Sequence, residues 1–269
     1  MRPPLPRRPK GIPLRSLVPN AVTALALCFG LTGVRFAIEE KWELAVLAIV
    51  IAAVLDGMDG RIARMLNGQS RFGAELDSLS DVIAFGVSPA VIIYLWSLQE
   101  NPRYFWLFAL AHAVCAALRL ARFNAAIDVE EQPHKSAGFL TGVPAPAGAG
   151  LLLLPLYLWL WTDQEIFRAP LVVAPWAALI AFLMVSNVAT FSWTSLRLRS
   201  HVRFGALAVI ALIGGALISA PWPTLSLAAM LYAALIPASL YSYAKVKRQR
   251  VAAAARAQPP SPAADDPTS

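Results

Sequence analysis

The chain has 269 residues, of which 58% are apolar and only 14% charged, with a formal net charge of +7. So low a charged fraction, against roughly 25% in soluble domains, and a mean hydropathy of +0.58 exclude an ordinary soluble enzyme and argue for a membrane protein. The positive surplus belongs to membrane topology and needs no nucleic acid to explain it.

In chain order, residues 1–16 form a basic, Pro-rich segment suited to an anionic lipid surface. It has no cleavable-leader pattern, because its polar stretch runs straight into a long apolar run. Apolar runs near the ~20-residue spanning length then fall at about 18–36, 42–62, 77–98, 103–122, 141–162, 171–190, 204–220 and 222–243. Pro89 interrupts the third. The pattern predicts an all-α membrane domain over 17–244 with about eight transmembrane helices, followed by a basic and then polar tail over 245–269 that is too poor in apolar residues to bury a core. Cys28 and Cys115, inside apolar runs, read as small buried hydrophobes. Trp96, Trp106, Trp159, Trp161 and Trp222 fall near span ends, as aromatic belt residues do.

With the N-terminus in the cytoplasm, Arg35, Lys41, Arg103 and Arg168 lie on the far side, and the other nineteen of the 23 Lys and Arg lie on the cytoplasmic side. That is a strong positive-inside bias. It predicts an inner (plasma) membrane protein with both termini in the cytoplasm.

The chemistry sits in one stretch, DGMDGRIARMLNGQSRFGAELDSLSD, from Asp56 to Asp81. Asp56 and Asp59 are three residues apart and share a helix face, which Gly60 and Ala63 continue with almost no side chain. Asp77 and Asp81 are four apart on the next helix, one turn beyond Gly73. A turn through Asn67 and Gly68 predicts antiparallel neighbours whose acidic faces converge. Four carboxylates cannot all stay ionised in one pocket without counter-charge. All-oxygen ligands with no His or Cys suit Mg²⁺ or Mn²⁺ and not zinc. Two such ions would clamp a phosphoryl-type displacement, and Arg64 is placed for phosphate oxygens. The bland alternative is an interfacial ion-pair network. Ionisable groups at membrane depth favour function, and so does their 3-18-4 spacing in phase with small residues. His112, in an apolar helix, reads as a core residue.

Asp56-x-x-Asp59-Gly60-x-x-Ala63-Arg64, then Gly73-x-x-x-Asp77-x-x-x-Asp81, matches the signature of the CDP-alcohol phosphotransferase family. The resemblance implies a helical, usually dimeric membrane enzyme with two divalent ions per site. It assigns Asp56, Asp59 and Asp77 to the metals, and Asp81 to the second metal and to general-base catalysis. It assigns Gly60, Arg64 and Ser70 to the CDP-lipid. Further segments resemble the family's bacterial membrane-bound phosphatidylserine synthases over about residues 17–200: Pro19-Asn20-x-x-Thr23, Arg119 to Asn124, Gly138-Phe139, Pro144 to Ala147 and Ser186 to Ser192. By that analogy Asn20 and Thr23 line the nucleotide side, although Asn20 could equally be a helix N-cap. Arg119, Arg122, Asn124 and Lys135 could hold the lipid phosphate or the acceptor carboxylate, or could be topology charges only. The expected reaction moves the phosphatidyl group of CDP-diacylglycerol to L-serine, releasing CMP among membrane lipids. Glycerol 3-phosphate or an inositol phosphate is the alternative acceptor, and a membrane cation transporter is the alternative class.

Overall fold

The computed structural model describes residues 14–66, 68–125, 139–186, 189–191, 203–237 and 239. Helix α1 (Leu14–Ile38) and α2 (Trp42–Met65) form the first pair. A single rod follows: α3 (Arg71–Asp81), a π-helical turn (Val82–Val87) and α4 (Ser88–Ser97). After α5 (Pro102–Ala125) come a short strand β1 (Phe139–Thr141), helices α6 (Ala145–Leu152), α7 (Leu154–Thr162) and α8 (Pro170–Val185), strand β2 (Ala189–Phe191) and α9 (Arg203–Ser219). A further helix, α10, covers 221–237.

The helical membrane architecture is the expected one, with two refinements. Strands β1 and β2 pair antiparallel, Phe139 opposite Phe191 and Thr141 opposite Ala189, where the sequence pattern predicts helix ends. Both triplets join aromatic and β-branched residues, which suit a strand better than a helix terminus. Within the described residues the apolar runs fall mainly on helices, but Leu17–Ile38, Arg71–Ser97 and Pro102–Ala125 are the three described helices long and apolar enough to cross a membrane; α6 and α7 make a fourth span if taken as one broken span. Helix α2 carries Asp56 and Asp59, and α8 has only 16 residues. The count of eight rests on the apolar runs and the charge bias.

Prolines explain both irregular spans. Pro89 has no N–H for the carbonyl four residues before it, Phe85. The rod stays continuous by opening into the π turn, and the Phe85 carbonyl lies 3.4 Å from Nε2 of His112 on α5, which is fully buried. Pro155 likewise frees the Leu151 carbonyl, where α6 and α7 meet at a 41° bend. There Trp176 Nε1 on α8 donates to it at 2.7 Å. In lipid no water can satisfy such carbonyls, so neighbouring helices must.

Two apolar clusters form the core. One gathers Ile49, Ile92, Trp96, Leu153 and Leu156. The other gathers Ala52, Phe85, Leu120, Leu151 and Met184. Helix α1 runs along α2 and also packs on α3, the π turn and α4. It comes so close that a Cβ on Gly30 would lie 2.7 Å from the Ala84 backbone. Large side chains such as Phe182, Leu212 and Ile218 face outward, as a lipid-facing surface allows. Two expectations change accordingly. Cys28 is exposed on the flank of α1, because lipid accepts a small thiol as readily as a core does. Trp96 is buried in the core and does not lie in a lipid-facing belt.

Candidate active site

Helix α2 delivers Asp56 and Asp59 from its last three turns, and α3 delivers Asp77 and Asp81. One carboxylate oxygen each from Asp56, Asp59 and Asp77 lies within 4.8 Å of the others. Asp81 stands against Asp56, the two carboxyls within hydrogen-bond reach of each other. The four acids thus converge, but not through the antiparallel packing that the Asn67–Gly68 turn suggests. Asn67 is outside the described residues, and α1 carries most of the contact to both acid-bearing helices.

Among the described residues no Lys or Arg forms a salt bridge with any of the four; the ion pairs are those of Glu39 with Arg35 and Lys41 at the opposite end. The Oδ1 atom of Asp77 is buried without a hydrogen-bond partner. Such a group is costly unless a cation meets it. Clustered carboxylate oxygens, an orphaned oxygen among them and no nitrogen or sulfur ligand together fit a hard divalent ion.

A crevice of about 380 Å³ opens beside the acids. Asn20, Thr23, Asp59, Gly60, Ala63, Arg64, Ser70, Gly73 and Asp77 line it. Sequence reasoning had not selected Gly68, Gln69 and Ala74, which also line it; only their place between the motif residues marks them. Arg64 Nε donates to the Gly60 carbonyl at 3.1 Å, which anchors the side chain and leaves its terminal nitrogens for an anion. Ser70 is the N-cap of α3, its Oγ accepting from the Gly73 N–H at 3.0 Å. At Gly73 a Cβ would lie 2.8 Å from Asn20 Oδ1, so any larger residue there displaces the Asn20 amide. Asn20 itself is no N-cap, since α1 begins at Leu14.

Arg119 and Arg122 stand apart from this crevice. Arg119 on α5 lies within electrostatic reach of Asp81 and of Tyr232 on α10, and its Nε is buried without a partner. Nothing in a lone tyrosine so late in the sequence signals Tyr232. Arg122 is exposed, with Nη2 3.5 Å from the Ser186 carbonyl. The Asn124 amide donates to Ser78 Oγ at 2.8 Å and is therefore engaged within the protein. Lys135 and Gly138 lie outside the described residues.

A family model described as CDP-alcohol phosphatidyltransferase matches residues 16–193, and a second, CDP-alcohol phosphatidyltransferase 2, matches 201–237. The chain is 35% identical to a CDP-diacylglycerol–serine O-phosphatidyltransferase of Mycobacterium tuberculosis over 237 residues, 88% of this chain and 82% of the relative. The enzyme of the same name from Mycobacterium leprae is 36% identical over 88% of this chain and 78% of its own length. That of Helicobacter pylori is 40% identical over 108 residues, 40% of this chain and 46% of the relative. The first match spans both acid-bearing helices, the crevice and the rod that holds them, and on this ground the chain belongs to the CDP-alcohol phosphatidyltransferase family.

Proposed function

We propose that this protein transfers the phosphatidyl group of CDP-diacylglycerol to the hydroxyl of L-serine, giving phosphatidylserine and CMP. The observation that carries the chemistry is the meeting of Asp56, Asp59 and Asp77 beside a crevice lined by Gly60, Ala63, Arg64 and Gly73. The serine assignment is supported by the names of relatives that are 35% and 36% identical to this chain over 88% of its length.

The residues divide the work as follows. Asp56, Asp59, Asp77 and Asp81 would hold two divalent ions, Mg²⁺ or Mn²⁺, which when bound supply positive charge for the diphosphate and for the departing CMP. Asn20, Thr23 and the small residues Gly60, Ala63 and Gly73 shape the crevice for the nucleotide, and the terminal nitrogens of Arg64 meet phosphate oxygens. Asp81 takes the proton of the serine hydroxyl. The serine oxygen attacks the phosphorus that bears the diacylglycerol, and the bond to the CMP oxygen breaks. Arg119, beside Asp81 with an unpartnered Nε, suits the serine carboxylate. Arg122, within electrostatic reach of Arg119, adds positive charge there. A membrane cation transporter would leave the motif-lined crevice without purpose.

The reading places the site at the cytoplasmic face of the inner membrane and includes assembly as a homodimer, both supported by the resemblance and the charge bias. The deciding experiment is CMP release from CDP-diacylglycerol by purified protein, with serine, glycerol 3-phosphate or inositol phosphate as acceptor, with and without chelator. Serine-dependent release that chelator stops is expected. Release that prefers a phosphorylated acceptor would overturn the serine assignment, and chelator-resistant release would overturn the metal reading.

A further inference from the structure

Thr23 does more than line the crevice. It is 4% exposed, and Asp59, buried at 6%, is its partner across the α1–α2 contact. Thr23 Oγ1 lies 2.6 Å from Asp59 Oδ2 and 3.1 Å from the Pro19 carbonyl. A hydroxyl has one proton to give, and the nearer, ionisable acceptor draws it. The backbone of the same residue is also engaged: Ser80 Oγ on α3 donates to the Thr23 carbonyl at 3.2 Å. One residue of α1 therefore touches both acid-bearing helices, one turn from where Asn20 packs on Gly73.

We infer that Thr23 is a positioning residue for the metal centre: its hydroxyl fixes the rotation of the Asp59 carboxylate, and through Ser80 it sets the separation of α2 and α3. A carboxylate left to rotate presents its oxygens to an ion only part of the time. Hydrogen bonds from neighbouring groups orient metal ligands in this way. Threonine suits the post better than serine because its branched Cβ restricts χ1. The inference rests on the metal reading of the four acids, and its role for Thr23 differs from a nucleotide contact.

The test measures Mn²⁺ binding to the purified full-length protein by electron paramagnetic resonance, with no substrate present. Thr23→Val keeps the shape and removes the hydroxyl, and it is expected to weaken Mn²⁺ roughly 10–100-fold, with Thr23→Ser recovering binding to within about threefold of wild type. In CMP-release assays the half-saturating Mn²⁺ concentration should rise in Thr23→Val by a larger factor than the KM for CDP-diacylglycerol measured at saturating Mn²⁺. Wild-type Mn²⁺ affinity in Thr23→Val overturns the inference and leaves the metal reading standing, as does a change confined to the KM for the CDP-lipid. Absence of Mn²⁺ binding in the wild type overturns both. Should Thr23→Val lose its thermal transition, Thr23→Ala decides by the same criteria.

Discussion

Two depressions lie at opposite ends of the described residues, and the larger is not the one beside the acids. The cavity on the side far from the acids, about 770 Å³, is lined by Glu40, Trp42, Glu100, Glu165 and Arg168 among others. The crevice beside the acids is about half that size. At the far side polar groups largely satisfy each other. Arg168 Nε donates to the Trp96 carbonyl at 3.0 Å while its guanidinium sits over the Trp159 ring. Ser97 Oγ donates to the Arg168 carbonyl, and Trp159 Nε1 to Glu165. At the other end four acids face one another with no basic side chain of the described residues paired to them, and an Asp77 oxygen has no donor. Unmet demand for positive charge locates a site better than volume does.

Attacking the acidic end should have the largest effect. Asp81→Asn keeps the shape and removes the proposed base, so serine-dependent CMP release should fall about 10²–10⁴-fold with the thermal transition preserved. Wild-type turnover in that variant would sink the enzyme assignment. Next in size, Gly73→Ala puts a methyl 2.8 Å from Asn20 Oδ1; the Asn20 amide must move along the crevice wall, which should raise the KM for CDP-diacylglycerol about three- to tenfold, about 1 kcal/mol, at little-changed stability. Of similar energy but different kind, His112→Leu and Trp176→Phe each strand a proline-freed carbonyl, and each should cost about 1–3 kcal/mol of stability. Their melting temperatures in detergent would check this, Trp176→Phe reporting on the α6–α7 bend alone. At the far side, Arg168→Ala should lower the melting temperature yet leave CMP release within about twofold of wild type, since rim contacts remote from the chemistry carry little of it. The smallest effect belongs to Glu39. The hydrogen bond from Lys41, with Arg35 beside it, holds its carboxyl below the ordinary range. That contribution exists above the ordinary carboxyl range and is lost as pH falls below it. Because Glu39 is fully exposed, Glu39→Gln should leave activity and melting unchanged.

The sequence already contained this comparison in part. The spacing of Asp56, Asp59, Asp77 and Asp81 follows helical periodicity, and the structure gathers all four. The crevice residues Gly60, Ala63, Arg64 and Gly73 were legible for the same reason: they continue the same helix faces. What could not be read was tertiary. No local pattern reveals that α1 joins the two acidic helices, so Thr23 read as a pocket wall and Asn20 as a possible cap. Nor does a run of apolar residues say which proline bends a span and which is absorbed. Pro89 and Pro155 look alike in sequence. They differ in outcome because one carbonyl is reached by a histidine across an opened turn and the other by a tryptophan at a break.

The π turn holds one residue more than an α-helical path over Val82–Val87 needs, and it begins directly after Asp81. That surplus sets the angular phase between the two halves of the rod. Were the same six residues wound as ordinary α-helix, everything before them would turn by roughly 100° relative to α4. Asp77 and Asp81 would then swing away from Asp56 and Asp59 although no acid had been altered, so the alignment of the four acids depends on an insertion in a wholly apolar stretch.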